Sequence, residues 1–450
     1  MHGADTGAWV PHVIFGWDPL WVSAIIFVLT YAVIITERVN RAIVALLGAG
    51  LMIFTGVLNQ QAAVNGVDFN TLGLLAGMMV IVAITRRCGV FQYVAIWSAK
   101  KVRASPWGIL LMLSLVTALF SAFLDNVTTV LLVAPVTLLI TEELKVNPYP
   151  YLFSEILFSN IGGTATLIGD PPNIMIGSAV HLNFVDFVVN LAPIVLVIMA
   201  ATLIPIYLIY GRGLRATDEA RGRVMNFDER EAITDPRLLR QSLGVLGLVI
   251  LGFVLAHVLR VEPATIAMFG AALLLLLDNW PRQAEEQSHQ VHHAFGEVEW
   301  VTIFFFVGLF IVVAGIDRSG ILRILAHRVL ELTGDSLPVT AMAILWVSAI
   351  ASSIVDNIPF VATMIPLIKS MGPALGGPDA LLPLWWSLAL GACLGGNGTI
   401  IGASANLIVA GFSERAGHPM RFVPFLLRAF PLMLLSVAIA SVYVYFRYLA

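Results

Sequence analysis

Charge is what this sequence most lacks. Charged residues make up 12% of the 450 residues, whereas an ordinary soluble domain carries about a quarter. Hydrophobic residues make up 59%, and the mean hydropathy is +0.90. The formal net charge of −3 offers no basic surface for nucleic acid. The composition therefore predicts a chain that lies mostly in a lipid bilayer.

Cysteine is scarce as well, since Cys88 and Cys393 are the only two. Two cysteines alone cannot build a disulfide framework or a thiolate metal site, and we predict no metal and no cofactor. No Lys or Arg precedes Trp21, so the start of the chain lacks the positive region of a cleaved signal peptide. We therefore interpret residues 21–36 as a retained first span.

Apolar runs of about 20 residues, the length that crosses a bilayer, recur along the chain. Three longer runs, 107–140, 338–371 and 381–412, contain polar or Gly-rich interruptions. The one long hydrophilic stretch, 211–241, carries seven Arg and six Asp or Glu. It predicts a cytoplasmic linker over 211–240 that separates a first domain, 1–210, from a second domain, 241–450.

The two halves repeat each other. Asp125-Asn126 in the first half is matched by Asp356-Asn357 in the second, and Gly162-Gly163 is matched by Gly395-Gly396. The position numbers of matched residues differ by 231 at the first motif and by 233 at the second. Chance similarity between apolar helices would match Leu with Leu, not polar pairs at a nearly fixed offset. The pattern therefore predicts an internal repeat.

Charge also predicts how the repeat crosses the membrane. If 107–140 and 338–371 are hairpins that enter and leave on one face, each half has five true spans, and the odd number inverts the second half. With the N-terminus outside, 19 of the 25 Lys and Arg, Arg282 among them, lie on the inner side, as cytoplasmic loops require. The predicted fold is an all-α polytopic membrane protein of two inverted repeats with about five spans each, two re-entrant hairpins and two broken helices, with both termini outside.

An Asp-Asn pair lies at the centre of each predicted hairpin. An Asp at membrane depth costs about 3 kcal/mol by insertion scales, so Asp125 and Asp356 should face a pathway or a partner. Each could also cap the returning helix, because its oxygens accept from free N–H groups. Two such turns at matched positions favour a substrate pathway.

The broken helices are predicted over 151–180 and 381–412. Gly-Gly in both and Pro171-Pro172 in the first interrupt the helix, which leaves N–H and C=O groups facing the substrate, as in discontinuous transporter helices. Small residues for close packing explain some of the glycines but not the matched Thr and Asn residues. A phosphate-binding loop is excluded because neither stretch has the Gly-Lys-Ser/Thr ending.

One acid breaks the symmetry, since Asp170 is matched by Ala403. It could carry a proton or cap the helix ahead of the two prolines. The candidate proton-coupling residues are Asp125, Asp170 and Asp356. The candidate substrate-binding residues are Asn126, Thr128, Thr129, Gly163, Thr166, Asn173, Asn357, Asn397, Thr399 and Asn406.

At these motifs the sequence resembles the ion-transporter superfamily that includes arsenite pumps of the ArsB type, sodium/proton antiporters of the NhaD type and the melanosomal P protein. The resemblance covers nearly the whole chain. The stretches most similar to the P protein and its bacterial relatives are SAFLDNVTTVLLVAPVT, SNIGGTATLIGDPPN, SSIVDNIPFVATMIP and GACLGGNGTIIGASAN. The resemblance implies hairpins that meet broken helices near the midplane, and a scaffold that often forms a homodimer.

The resemblance also implies a cargo. Bacterial chains of this kind are commonly labelled arsenic efflux proteins, which implies proton-coupled export of arsenite or antimonite across the inner (plasma) membrane. Arsenite pumps of the enteric type have Asn-Asp or Asn-Asn in these turns, whereas this chain has Asp-Asn in both. Na⁺/H⁺ antiport of the NhaD type is therefore the alternative, with Asp carboxylates and loop carbonyls as hard oxygen ligands.

An enzyme is the third alternative, an intramembrane aspartyl protease that uses Asp125 and Asp356. Such enzymes carry a Gly-x-Gly-Asp element, whereas Asp170 follows Leu-Ile-Gly, so we predict no enzymatic activity. The sequence identifies no ATP site, and coupling to an ATPase would need a partner chain.

Overall fold

The computed structural model describes residues 13–36, 38–280 and 283–450. Within these residues all regular secondary structure is helical, and ten helices are long and apolar enough to cross a bilayer. The predicted all-α polytopic fold is therefore confirmed. The N-terminal residues 1–12 and Arg282, which both entered the topology prediction, lie outside the described residues.

The α-helices are numbered in chain order. The first half contains α1 (Pro19–Thr36), α2 (Arg41–Phe54), α3 (Gln60–Gly66), α4 (Phe69–Arg86), α5 (Val90–Lys101), α6 (Pro106–Phe123), α7 (Asn126–Leu144), α8 (Tyr149–Gly163), α9 (Pro171–Val180) and α10 (Phe184–Ile206). The linker and the second half contain α11 (Asp218–Met225), α12 (Pro236–Leu259), α13 (Pro263–Asn279), α14 (Ala284–Gly296), α15 (Trp300–Ser319), α16 (Ile321–Thr333), α17 (Leu337–Ile354), α18 (Asn357–Met371), α19 (Leu382–Gly395), α20 (Ser404–Arg415) and α21 (Phe422–Val444).

The helix interruptions lie at the Asp-Asn and Gly-Gly motifs. Hairpin 1 is α6 and α7, and hairpin 2 is α17 and α18. Non-helical segments divide α8 from α9 and α19 from α20. The ten helices of spanning length include the hairpin arms α6, α7 and α17, whereas α2 and α13 are shorter apolar helices.

One bundle, which we call the scaffold, consists of α1, α2, α4, α12, α13 and α15. Helix α2 packs on α15, and α4 packs on α13. A Cβ on Gly308 would lie 2.5 Å from the carbonyl carbon of Ala45, and one on Gly77 would lie 2.7 Å from that of Ala267. Each pair joins a helix of one half to a helix of the other, so both halves build the scaffold.

The second bundle, which we call the core, contains both hairpins and both interrupted helices, with α10 and α21 packed against it. Helix α6 packs on α8, and α17 packs on α19. A Cβ on Gly162 would lie 2.3 Å from the carbonyl oxygen of Ala118, and one on Gly395 would lie 2.5 Å from that of Ala349. The matched glycines therefore allow the corresponding helices of each half, α6 with α8 and α17 with α19, to pack closely.

The linker lies against the base of hairpin 1. The Arg223 guanidinium donates to a carboxylate oxygen of Glu143 at 3.2 Å and to its carbonyl oxygen at 2.7 Å. Lys100 on α5 pairs with Glu229, and this hydrogen bond holds the pKa of the Glu229 carboxyl below its ordinary value. The charges of the linker thus fasten it to the first half.

Candidate functional site

Each hairpin turns at an Asp that caps its returning helix. The Asp125 carboxylate accepts from the backbone N–H of Thr128 at 2.7 Å and from the Thr128 hydroxyl. The Asp356 carboxylate accepts from the backbone N–H of Ile358 at 3.1 Å. Both carboxylates keep further acceptor capacity, since a carboxylate has about four lone-pair sites. Capping and a second role are therefore compatible at both residues.

Matched Thr residues fasten the interrupted helices to the hairpins. The Thr166 hydroxyl donates to the carbonyl oxygen of Ala122, and the Thr399 hydroxyl donates to that of Ser353, each at 2.5 Å. Both accepting residues lie just before a hairpin tip. The hydroxyls are therefore already used in holding the core together.

Matched Asn residues close the non-helical segments. The Asn173 amide donates to the carbonyl oxygen of Thr166 and the Asn406 amide to that of Thr399, each at 2.9 Å. A Cβ on Gly163 would lie 2.5 Å from the carbonyl oxygen of Gly169, so the turn leaves no space for a side chain there. These bonds satisfy backbone carbonyls that the interruption would otherwise leave unpaired.

Asn160, which the sequence analysis did not single out, links the two halves. Its side-chain amide oxygen accepts from the Asn126 amide at 3.0 Å. Its own amide donates to the side-chain oxygens of Asn397 at 2.9 Å and Asn406 at 3.0 Å. Asn160 is fully buried, and its three bonds join the tip of hairpin 1 to the interrupted helix of the second half.

Asp170 occupies the N-cap position of α9, but its side chain makes no capping hydrogen bond within the described chain. It is fully buried, and its two carboxylate oxygens accept from the Asn357 amide at 3.2 and 3.4 Å. The helix-cap interpretation of this side chain is therefore wrong. Asp170 instead joins the first half to the tip of hairpin 2.

Arg41, another residue that the sequence analysis missed, carries positive charge into the site. Its guanidinium donates to the Asp356 carboxylate at 2.8 Å, to the Ser404 hydroxyl at 2.7 Å and to the Thr302 hydroxyl at 3.4 Å. The guanidinium also lies 4.9 Å from the ring centre of Phe305. A scaffold side chain thus holds both the tip of hairpin 2 and the start of α20.

A small cavity lies where these elements meet. Its volume is about 20 Å³, which is room for about one water molecule. A pocket of about 660 Å³ adjoins it and shares part of its lining. The residues common to both are Arg41, Val127, Glu299, Thr302 and Ser404. The wider pocket therefore borders the cavity on the side of the start of α2 and α15.

Five of the predicted site residues reach this region. Asp125, Asn126, Asp170 and Asn357 line the small cavity, and Asp356 lines the pocket beside it. The Thr129 hydroxyl is buried without a hydrogen-bond partner in the described part of the chain. All thirteen predicted residues are described, and those that do not line the small cavity or the adjoining pocket are Thr128, Thr129, Gly163, Thr166, Asn173, Asn397, Thr399 and Asn406.

Two of the missed residues, Asn160 and Arg41, break the repeat, so matching the halves did not find them. Asn160 corresponds to Cys393, in the register that matches the Gly-Gly motifs. Glu299 corresponds to Asp68 in the register of the Asp-Asn motifs, a match of two acids that could have been noticed. Arg41 begins α2, which matches α13 only at a numbering offset that differs from those of the two motifs. At that offset the counterpart of Arg41 is Pro263.

Comparison with known proteins identifies the family. A model of the citrate transporter family, CitMHS, matches residues 31–391. An uncharacterized transporter of Mycobacterium tuberculosis (strain H37Rv) is 42% identical over 431 residues, which cover 95% of this chain and 98% of that protein. The P protein of Homo sapiens is 33% identical over 496 residues, which cover 92% of this chain and 58% of that protein. The resemblance inferred from the motifs is confirmed.

Two solved transporters share the fold at low identity. MtrF of Neisseria gonorrhoeae, which is placed in a class of antimetabolite efflux pumps, matches with a TM-score of 0.59 and 13% identity over 97% of this chain and 95% of its own. YdaH of Alcanivorax borkumensis matches with a TM-score of 0.55 and 15% identity over 95% of this chain and 98% of its own. The fold is that of membrane transporters.

Proposed function

Because the chain belongs to the citrate transporter family, we propose that it is a secondary active transporter that exports a small solute in exchange for protons. Its family and its relatives are membrane transporters, and this chain is likewise a membrane transporter and not an enzyme. The proposed cargo is arsenite or antimonite, and the second candidate is Na⁺. The observation that carries the proposal is the small acid-lined cavity between the two hairpin tips.

The charge of this cavity restricts the cargo. Asp125, Asp170 and Glu299 line it, whereas Arg41 is the one cationic group in its described lining and is already paired with Asp356. Like charges 4 Å apart repel by about 4 kcal/mol at an effective dielectric constant of 20. A citrate trianion would add negative charge to an acidic site, so the site favours a neutral or cationic solute despite the name of the family.

Two solutes fit this charge. Arsenite and antimonite are neutral hydroxides, which can donate to carboxylates and accept from the amides of Asn126 and Asn357. A neutral cargo also avoids repulsion from the acids. Na⁺ prefers hard oxygen ligands, and the carboxylates of Asp125 and Asp170 supply them.

The three predicted carboxyl groups are the proposed proton carriers. Asp125 and Asp356 come from the two hairpin tips, and Asp170 comes from the interruption between α8 and α9. Asp170 is the strongest candidate because it is fully buried and accepts from Asn357 instead of capping α9. Within the described residues Asp170 accepts from an amide, whereas Arg41 is paired with Asp356, so Asp170 can take up a proton without breaking an ion pair.

The proposed topology is a pair of inverted repeats with re-entrant hairpins in the inner membrane and both termini outside. In support, the tips of both hairpins line one cavity. The helix pairs α2–α15 and α4–α13 each join one half to the other, and the two pairs correspond to each other in the repeat.

The two halves differ at one matched contact, which suggests how access alternates. In the first half the scaffold residue Asp68 accepts from Ser178 on α9 at 2.9 Å. In the second half its counterpart Glu299 instead lines the small cavity together with Ser404 on α20. Ser404 corresponds to Pro171 at the start of α9, not to Ser178. Residues 171 and 178 are seven positions apart, or about 10 Å along a helix. We propose that the halves exchange these two arrangements during transport.

The test of the cargo is uptake into everted membrane vesicles with an imposed pH gradient. Arsenite, antimonite, Na⁺ and citrate would be compared side by side, with vesicles lacking the protein as the control. Proton-driven uptake of arsenite and antimonite supports the first cargo, and uptake of Na⁺ alone supports the second. Proton-driven uptake of citrate alone would contradict the charge argument.

A further inference from the structure

The amide groups at the two hairpin tips have chemically different acceptors. Asn126 and Asn357 are matched residues, and each is buried with an exposed fraction of 3% or 4%. Asn126 donates to the amide oxygen of Asn160, whereas Asn357 donates to the carboxylate of Asp170. From this difference we infer that hairpin 1 is fixed, with Asn160 as its positioning residue, and that hairpin 2 is a gate that loosens when Asp170 takes up a proton, while Arg41 keeps its bond to Asp356.

Two substitutions within the repeat produce the difference. The position that holds Asn160 in the first half holds Cys393 in the second, and a thiol is a weak acceptor. The position that holds Asp170 in the first half is Ala403 in the second, which has no acceptor. Each tip therefore uses the one acceptor that the repeat leaves to it.

The two acceptors respond differently to pH. The amide oxygen of Asn160 does not titrate, so the bond to Asn126 persists at every physiological pH. The carboxylate of Asp170 loses its charge on protonation, and a charge-assisted hydrogen bond is roughly twice as strong as a neutral one. Protonation therefore weakens the attachment of hairpin 2 alone.

The surroundings of Asp170 support this assignment. The charged or titratable groups around it are Asp125 at the tip of hairpin 1, Asp356 at the tip of hairpin 2, Arg41 on α2, Glu299 before α15 and Cys393 on α19. Arg41 donates to Asp356, not to Asp170. Uptake of a proton by Asp170 thus lowers the repulsion among the acids and leaves the pair of Arg41 and Asp356 in place.

The bases of the hairpins, at the ends away from the tips, also differ, and hairpin 1 is again the more firmly held. Arg223 of the linker is bonded to Glu143 near the end of hairpin 1, and Arg221 donates to the carbonyl oxygen of Arg103 just before it at 3.1 Å. The base of hairpin 2 instead borders a pocket of about 820 Å³, whose lining includes Gly372 and Gly377. Hairpin 1 is therefore fastened at both ends, and hairpin 2 has free space at its base.

The inference rests on the proposed proton coupling, and amide hydrogen exchange of the purified full chain in lipid nanodiscs tests it. Peptides that cover residues 119–129 and 350–360 report on the two tips. At pH 6, and separately at pH 8, each variant is compared with wild type at that same pH, so that the pH dependence of intrinsic exchange rates cancels. In the Asp170→Asn variant the acceptor remains but cannot titrate, and in Asp170→Ala it is lost.

We expect the tip of hairpin 2 to exchange equally in wild type and in Asp170→Asn at pH 6, and about fivefold more slowly in wild type than in Asp170→Asn at pH 8, because only the charged carboxylate makes the stronger bond. Asp170→Ala should exchange fast at both pH values. The tip of hairpin 1 should not respond to any of these changes. The matched variant Asn160→Cys should speed exchange at the tip of hairpin 1 at both pH values and leave hairpin 2 unchanged.

Equal responses of both hairpins to pH, or no effect of Asp170→Asn and Asp170→Ala, would overturn the inference. The readout needs no cargo. If exchange at the two tips responds differently to pH but no proton-driven flux is found, the proposed function fails and this inference stands. If proton-driven flux is found but both tips respond alike, this inference fails and the proposed function stands.

Discussion

Asp125 and Asp356 occupy matched positions with different neighbours. Asp125 accepts from Thr128 in its own helix, whereas Asp356 also binds Arg41 and Ser404. Asparagine can cap a helix as well as aspartate does, so Asp→Asn at either position should preserve the hairpin turn.

We predict that Asp125→Asn and Asp356→Asn each abolish coupled transport while the protein still inserts into the membrane. The change removes a carrier of protons or cations and leaves a capping side chain in place. The measurement is flux across pH 6 to 8, with the membrane level of each variant as the control. Wild-type flux in both variants would show that the two residues are only caps.

The two cysteines should be dispensable. Cys88 donates to the carbonyl oxygen of Thr85, and Cys393 lies 3.5 Å from the side-chain oxygen of Asn173, so both are buried in the protein and neither lines the cavity in the described residues. We predict that the double Cys→Ser variant still confers arsenite resistance on a sensitive host. Lost resistance at normal expression would place the cargo on sulfur.

At the residue scale, the repeat drew attention to Asn357, and its break at Ala403 drew attention to Asp170; both line the small cavity. Sequence reasoning did not single out Asn160 or Arg41. The last two have counterparts of another chemical type, Cys393 and Pro263, so comparison of the halves gave no signal. Their roles follow from contacts between distant segments, which a single sequence does not contain.

At the scale of elements, the close crossing of α6 and α8 is set by a glycine. We predict that Gly162→Ala lowers the thermal stability, at a cost of about 1–3 kcal/mol for overpacking, because its Cβ would lie 2.3 Å from a carbonyl oxygen. Gly247→Ala is the matched control, since nothing in the described structure lies within 4 Å of its Cβ. Equal melting temperatures of the two variants in detergent would contradict the described packing.

The interruptions were predictable because Gly-Gly, Pro-Pro and Asp-Asn act locally on the backbone. Helix α9 begins at Pro171 and α7 begins after its cap Asp125, as these residues require. The attachment of the linker to hairpin 1 was not predictable. It depends on pairs such as Lys100 with Glu229, which form only after the chain has folded.

At the scale of the whole molecule, exchange of the two arrangements predicts mutually exclusive crosslinks. Asn70 donates to Ser178 at 3.0 Å, and the matched pair in the second half is Val301 and Gly411. In a background without native cysteines, Asn70→Cys/Ser178→Cys should crosslink in the described arrangement, and Val301→Cys/Gly411→Cys should crosslink in the exchanged one.

Each crosslink should block transport, and formation of the second should depend on pH and cargo. The yields would be measured by mass spectrometry at pH 6 and pH 8. Formation of both crosslinks in the same molecules would rule out the exchange.

The central claim is that Asp170 couples proton movement to cargo movement across the whole protein. The most direct test is arsenite or Na⁺ flux in proteoliposomes with and without an imposed pH gradient, together with a binding titration, for wild type and Asp170→Asn. An amide preserves size and hydrogen bonding, so we predict that the variant still binds cargo but that its flux no longer responds to the gradient. An unchanged response to the gradient in Asp170→Asn would contradict the account.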